Sequence, residues 1–351
     1  MPGRPPFPLS DAKPMRLVFD SPGITRRELA QLLGLSSASM TVMVKRLAGA
    51  DMIQEIGSTR GKTGRKAGAL MVSPTFALAT CHLLGPGSLR SAVVNTWGEL
   101  KSNSTIHWQS PDQVESALRA AQTQSGKEIG ISVIALPLVS ASLPPSRSIS
   151  ATSAIGREVL TVPEGIEVIS SSNALVSHAL RQDSSLWGQT VLCVDLSDGA
   201  NGTLVLGRSS RSEIDLMPIQ PFAPIYSVNA FEDLATEFSD GDDGGFVERI
   251  ADAERQGDPA AATLCDVLLD QASDLLSTIA EMFKPDQLLV GLSDHFEHLV
   301  NLEELRRKTR RKCTRVTNER MAMRLLETTP WTRVSGAGLA AIRRWLEQFE
   351  S

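Results

Sequence analysis

From about Thr75 onward, short apolar runs alternate with longer stretches of helical periodicity, and this alternation constrains the fold more than any other feature. Runs with strand character are Ser91–Asn95, Ile129–Leu136, Ile166–Ile169, Thr190–Leu196, Gly202–Leu206 and Gln287–Val290. Helical stretches lie among them at Pro111–Gln124, Ala174–Arg181, Val228–Phe238, Pro259–Phe283 and Gly338–Phe349. Such alternation demands layered sheets with helices on their faces, an α/β class. Ser140–Ser153 is rich in Ser and Pro and reads as an exposed loop. At 351 residues and 42% hydrophobic, the chain can build two or three domains with sizeable cores.

The first 75 residues have another texture. After a Pro-rich start, Met15–Phe19 opens a helix that Ser21-Pro22-Gly23 interrupts. Thr25 followed by Glu28 is a capping-box pattern, and Leu29, Leu32 and Leu33 form the apolar stripe of a short helix that Gly34 ends. Ser36 caps the next helix, in which Met40, Met43, Val44 and Leu47 recur on one face. Ile53–Ile56 and Ala69–Val72 then read as two strands around a glycine-rich basic loop. This is the layout of a winged helix-turn-helix.

The second helix of that pair turns Ser37, Ser39, Thr41, Val42, Lys45 and Arg46 away from its core face. Small hydroxyls suit base edges or phosphates, and the two cations, like Arg26, suit phosphates. The loop carries Arg60, Lys62, Arg65 and Lys66 among glycines, which let a backbone approach DNA while an Arg enters a narrow minor groove. Charge points the same way. Residues 1–75 hold 11 Lys and Arg against 5 Asp and Glu, whereas the remainder holds 24 against 35. A basic head on an acidic body is expected when one domain meets phosphates and the other does not.

Other classes are disfavoured. Cys81, Cys193, Cys265 and Cys313 are far apart, with neither a disulfide framework nor a zinc-finger spacing, and read as reduced thiols of a cytoplasmic protein. No apolar run approaches the ~20 residues that span a bilayer. The opening MPGRPPFPLSDAKP lacks the apolar core of a signal peptide and reads as a disordered lead-in. Two ligands at His295 and His298 fall short of a metal site, and the basic run at residues 305–315 reads as a solvated helix face or loop.

The head resembles that of the ROK family, named for repressors, open reading frames and kinases. Its regulators carry a run ending in Gly-Leu-Ser, matched by Arg27, Glu28, Leu29, Ala30, Gly34, Leu35 and Ser36. Their wing ends in Gly-Arg-Pro, matched by Gly64-Arg65-Lys66 with Lys for Pro. The body is similar to the same family at SLRSAVVNTWGEL, IGISVIALP, VLCVDLSDGANGTLVLG, SEIDLMPI, NAFEDLA and SGAGLAA. The resemblance implies a two-lobed actin-like, sugar-kinase-like (ribonuclease H-like) ATPase fold behind the head. The expected division is a lead-in at 1–14, the head at 15–74, one lobe at 75–188 plus 334–351, and the other at 189–333.

What the resemblance implies about chemistry turns on departures. The family's general base, an Asp, falls on Ser171, and its first phosphate-loop Asp on Leu83. The second phosphate loop reads Ser197, Asp198, Gly199, Ala200, Asn201, Gly202, with an acidic side chain among the glycines. The His and three Cys of the family's zinc site fall on Leu216, Ala223, Ile225 and Ala230. Asn173 survives beside the lost base, and Glu213 and Glu232 match acidic positions of the sugar site. With Ser171 these two define a candidate ligand site. The expectation is a DNA-binding transcriptional regulator, a repressor, with a catalytically inactive body, no catalytic residues, no metal and no cofactor. Its partners are double-stranded operator DNA and a second copy of the chain or more, and no membrane. Two readings of the cleft stay open: one senses a sugar or sugar phosphate, the other has no small-molecule effector. An active sugar kinase would need a base that the chain lacks.

Overall fold

The structure, a computed structural model, describes residues 7–57, 68–85, 88–124, 130–136, 148–153, 156–196, 201–207, 214–219, 246–292, 301–326 and 328–350. The head begins with a 3-10 turn, Leu9–Asp11, that runs into α1 (Ala12–Asp20). The end of the expected lead-in is therefore ordered. Phe7 is buried among the rings of Phe76, Trp345 and Phe349, which anchors residues that prolines alone would leave free. After β1 (Ile24–Thr25) come α2 (Arg26–Leu33) and α3 (Ser37–Gly49). The capping box forms as the spacing predicts: Glu28 N–H donates to the Thr25 hydroxyl, and Thr25 N–H donates to the Glu28 carboxylate. Gly34 closes α2 at φ +65°, a left-handed conformation that suits glycine. Strands β2 (Ile53–Ile56) and β3 (Ala69–Val72) complete a three-stranded sheet in the order β1-β3-β2.

The body holds two five-stranded sheets of one topology. The first comprises β4 (Leu78–Gly85), β5 (Ser88–Asn95), β6 (Leu100–His107), β7 (Gly130–Leu136) and β10 (Ile166–Ser170), in the order β10-β7-β4-β5-β6. The second comprises β11 (Thr190–Asp195), β12 (Asn201–Gly207), β13 (Ile214–Ile219), β14 (Gln287–Gly291) and β15 (Ala322–Leu326), in the order β13-β12-β11-β14-β15. In each, three strands form an antiparallel meander, and two more add in parallel beside the first. A hairpin, β8 (Ser148–Ser153) with β9 (Gly156–Thr161), stands apart. Ser148–Ser153 is thus a strand where the Ser-rich composition suggested loop.

Helices α4 (Pro111–Gln124) and α5 (Ser171–Gln182) serve the first lobe, and α6 (Phe246–Arg255) and α7 (Pro259–Phe283) the second. The basic run is α8 (Leu302–Lys312), followed by α9 (Arg315–Arg320). Lys308 and Lys312 of α8 reach Asp270 and Asp274 of α7 at 2.7 Å, so part of its charge is neutralised within the lobe. The last helix, α10 (Pro330–Glu347), packs against α5, β4, β5, β7 and α1.

One apolar cluster joins head to body. It runs from Leu29, Met40 and Ile53 of the head, through Met15 and Val18 of α1, to Cys81, Val94, Ala337 and Ile342. Polar contacts reinforce this seam. Asp20 of α1, 1% exposed, receives Arg16 at 2.8 Å and Arg343 of α10 at 3.0 Å, while Arg16 also pairs with Glu350.

His82, in the middle of β4, is fully buried with Nδ1 2.8 Å from the Ser91 hydroxyl and Nε2 unpartnered. Burial holds its pKa down to about 4, against 6.5 when exposed. The native ring therefore stays neutral where the unfolded ring takes a proton. Its contribution is intact above pH 6.5 and is lost as pH falls toward 4, roughly 3 kcal/mol at about 1.4 kcal/mol per unit. Urea unfolding of wild type and His82→Leu across that range checks this: the variant's stability should fall less steeply with acid. Parallel curves would remove His82 as the cause.

Candidate nucleic-acid interface and interlobe cleft

The head presents α3 as expected. Met40, Val44 and Leu47 are buried, Met43 packs against them, and Val42 on the opposite side is 68% exposed. Ser36 N-caps the helix by accepting from Ser39 N–H at 3.1 Å, and its hydroxyl lies 2.9 Å from that of Ser39. Thr41 donates its hydroxyl to the Ser37 carbonyl at 2.8 Å, one turn back. Ser39 and Thr41 therefore hold local bonds while Ser37, Val42 and Lys45 stand free at the surface. Lys45 lies one turn beyond Thr41, so hydroxyl and ammonium share a face.

Two expected phosphate contacts are already engaged within the head. Arg26 pairs with Glu55 of β2 at 2.5 Å, with both side chains about one-third exposed. Arg46 pairs with Asp11, whose carboxylate is buried in the turn before α1, though half of the Arg46 side chain remains exposed. An exposed pair such as Arg26–Glu55 is worth no more than about 1 kcal/mol, so a phosphate can compete for that guanidinium. Arg27 at the start of α2 is exposed. Sequence reasoning placed it in a motif but not at the surface. The wing residues Arg60, Lys62, Arg65 and Lys66 lie outside the described residues.

The positions that the resemblance assigns to a kinase-like cleft lie on β4, at the start of α5 and beyond the end of β11. Leu83, where a phosphate-loop Asp is expected, is buried in the apolar core of the first lobe and has no group to offer a phosphate. Ser171, at the position of the base, is 1% exposed at the first turn of α5. Its neighbours tie the lobes together with hydroxyls. Ser170 accepts from Asn173 N–H at 3.1 Å and lies 3.1 Å from Ser172, whose hydroxyl meets Thr203 of β12 at 2.8 Å. A Ser hydroxyl stays protonated at neutral pH and is a far weaker base than the carboxylate of an Asp.

At the end of β11, Asp195 forms a fork with Arg333 of α10. Arg333 Nε donates to one carboxylate oxygen at 3.0 Å and an Nη to the other at 2.8 Å, and the same nitrogen donates to the Leu292 carbonyl at 3.1 Å. Both residues are buried. Sequence reasoning missed this pair, because the partners are 138 residues apart and each looks ordinary alone. It lies at the strand end that leads into the second phosphate loop, where the Arg333 guanidinium is taken up by the Asp195 carboxylate. Residues 197–200 of that loop, and Glu213 and Glu232, lie outside the described residues. Of the zinc-site positions, Leu216 is on β13 and the others are outside, as are His295 and His298. Among the described residues no group of His, Cys, Asp and Glu could hold a metal, and no helix is long and apolar enough to cross a membrane.

No protein-family profile matches the chain, and no curated protein matches it in sequence. Solved structures match in shape. A ROK family transcriptional regulator, a homolog of the E. coli MLC protein, superposes with TM-score 0.65 at 16% identity, covering 97% of both chains. A ROK family glucokinase from Streptomyces griseus, in complex with glucose and AMPPNP, gives TM-score 0.52 at 18% identity, covering 75% of this chain and 98% of its own. A ROK hexokinase from Thermus thermophilus gives 0.51 at 16%, covering 77% and 99%. The fold is therefore that of ROK proteins: a sugar-kinase-like, actin-like body.

Proposed function

We propose that this protein is a ROK-type transcriptional regulator, a repressor, which binds operator DNA through its winged head and has a catalytically inactive sugar-kinase-like body. The observation that carries the reading is a cleft without its chemistry behind a head that keeps its own. Ser171 and Leu83 stand where two Asp side chains would be needed, and Asp195 and Arg333 neutralise each other at the phosphate-loop end. The head meanwhile offers Ser37, Lys45 and Arg27 on a capped helix pair. The regulator's likeness also extends over about a fifth more of the chain than the kinases' does, a length that fits a head.

The body serves dimerisation, and two heads on a two-fold axis match a palindromic site. Mapping of bound genomic sites tests the reading directly. Lys45→Ala and Arg65→Ala should each weaken binding to such a site, and each should lower the salt slope by about 1 if it removes one phosphate contact. Affinity unchanged in both would overturn this interface. Phosphorylation of hexoses with ATP at ordinary enzyme rates would overturn the inactive body.

The cleft itself favours a second reading over sugar sensing. The hydroxyls of Ser172 and Thr203 bond each other and Asp195 pairs with Arg333, so these polar groups are engaged within the protein, which supports a constitutive DNA-binding protein without a sugar effector. A panel of sugars and sugar phosphates decides by melting temperature, since a ligand of the folded state must raise it.

A further inference from the structure

Val42 of α3 is 68% exposed, and among the described residues no other large apolar side chain of the α2–α3 pair lies so open. A single exposed valine needs no partner on its own account. Its place on the helix is what matters. At about 100° per residue, Val42 lies about 140–200° round α3 from Met40, Val44 and Leu47, which face the core. It therefore crowns the side turned away from the protein. Ala38, four residues before, and Lys45, three after, fall within about 60° of it, and both are exposed.

The hydrogen-bonding groups around this point are committed or displaced. Ser39 lies beside Val42, but its hydroxyl is 2.9 Å from that of the Ser36 cap. Thr41 gives its proton to the Ser37 carbonyl. Arg46 is held by Asp11. Ser37 is exposed, yet it stands in the first turn, about 140° round the helix from Val42. Along its outermost line α3 thus offers methyl groups, followed by an ammonium. Such a line suits a major groove, which admits a helix and whose base edges carry one apolar group, the thymine 5-methyl.

We propose that Val42 is a specificity-determining residue that reads a thymine 5-methyl at one fixed position of each half-site, while Lys45, one turn on, takes a phosphate. The proposal rests on the regulator reading and states what its recognition helix recognises. Val42 has neither donor nor acceptor, so it senses the methyl and no other feature of the base. Deoxyuridine differs from thymidine only in lacking that methyl and should be rejected. 5-Methylcytosine carries a methyl at the same place in the groove and should be preferred there to cytosine. Burying one methyl is worth about fourfold in affinity.

Duplexes selected from a random pool by the full chain test this, with each thymine of the enriched site replaced in turn by deoxyuridine. For wild type, one position in each half-site should lose about fourfold. Val42→Ala should bind the selected duplex several-fold more weakly and be indifferent to deoxyuridine at that position, so that the two losses do not add. A cytosine placed there should bind wild type more tightly once it is 5-methylated. Lys45→Ala is the control, since it should weaken binding and keep the sensitivity to deoxyuridine. Val42 is at the surface and alanine is the better helix former, so Val42→Ala should melt no lower than wild type. Selected duplexes in which no thymine methyl matters, a Val42→Ala protein that keeps the wild-type sensitivity, or no gain from methylating the cytosine overturns the contact and leaves the regulator reading in place. A chain that enriches no duplex from the pool sinks the regulator reading itself.

Discussion

Gly336→Ala is expected to cost more stability than any other single methyl group added to this protein. A Cβ at Gly336 would sit 1.8 Å from the carbonyl oxygen of Ala174 and 2.6 Å from its carbon. Those are backbone atoms of α5, which cannot swing aside as a side chain can. Helices α5 and α10 would have to separate along the seam that joins both lobes. Overpacking that side chains absorb costs about 1–3 kcal/mol, and this collision should exceed that range. Against a total of roughly 5–15 kcal/mol, little folded protein would remain at 37 °C. Gly338→Ala is the graded companion, since its Cβ meets only the side chains of Val94 and Cys81, at 2.6 and 2.8 Å. Gly49→Ala at the end of α3 meets nothing within 4 Å and should be neutral or slightly stabilising. Thermal unfolding by circular dichroism ranks the three. A Gly336→Ala protein melting with wild type would mean that α5 and α10 are not packed this closely.

The second large effect is expected at Arg333. Arg333→Met removes the fork that neutralises Asp195, whose side chain is fully buried. Removing one partner of a buried pair costs about 3–5 kcal/mol, because the remaining charge loses its counter-ion in a site shielded from water. The pair itself need not be strongly stabilising, since its attraction is largely offset by the desolvation of both ions. Asp195→Leu with Arg333→Met should therefore recover most of what either single change loses. Urea unfolding of the four proteins closes the cycle. Additive losses would show that the two side chains act separately.

What could be read from the chain was what is encoded locally. The capping box of α2 is a matter of three residues and their spacing, and both of its hydrogen bonds form. The runs at Ile166–Ile169 and Gln287–Val290 are short, rich in Ile, Leu and Val, and form strands in which Ile166, Ile169, Leu288, Leu289 and Val290 are buried. The polar edge strand β6, reading Leu-Lys-Ser-Asn-Ser-Thr-Ile-His, has no such signal, since its neighbour β5 rather than its own composition makes it a strand. β15, reading Ala-Met-Arg-Leu-Leu, is short rather than polar and lies between helices, and it is a strand because it pairs in parallel with β14.

The sequence reading places the last helix at Gly338–Phe349, whereas α10 starts eight residues earlier, at Pro330 behind the Thr329 cap, and runs through Gly336 and Gly338. They are there for close packing, which sequence does not display. The candidate site divides along the same line. The departures expected at Ser171 and Leu83 rest on residue type at positions matched by the resemblance. The pairings Arg26–Glu55, Arg46–Asp11 and Asp195–Arg333 join residues that the fold alone brings together.

The shared core at the seam also bears on the order in which this protein can become active. Asp20 leaves the ribosome early, and Arg343, which anchors it, follows 323 residues later. At roughly 5–20 residues per second, that gap is on the order of 15–65 s. During it the head lacks the helix that covers α1 and the rings that cover Phe7. The head is thus held firm only once α10 is in place, and a chain cut before α10 would carry the residues proposed to face DNA without a firm scaffold to hold them.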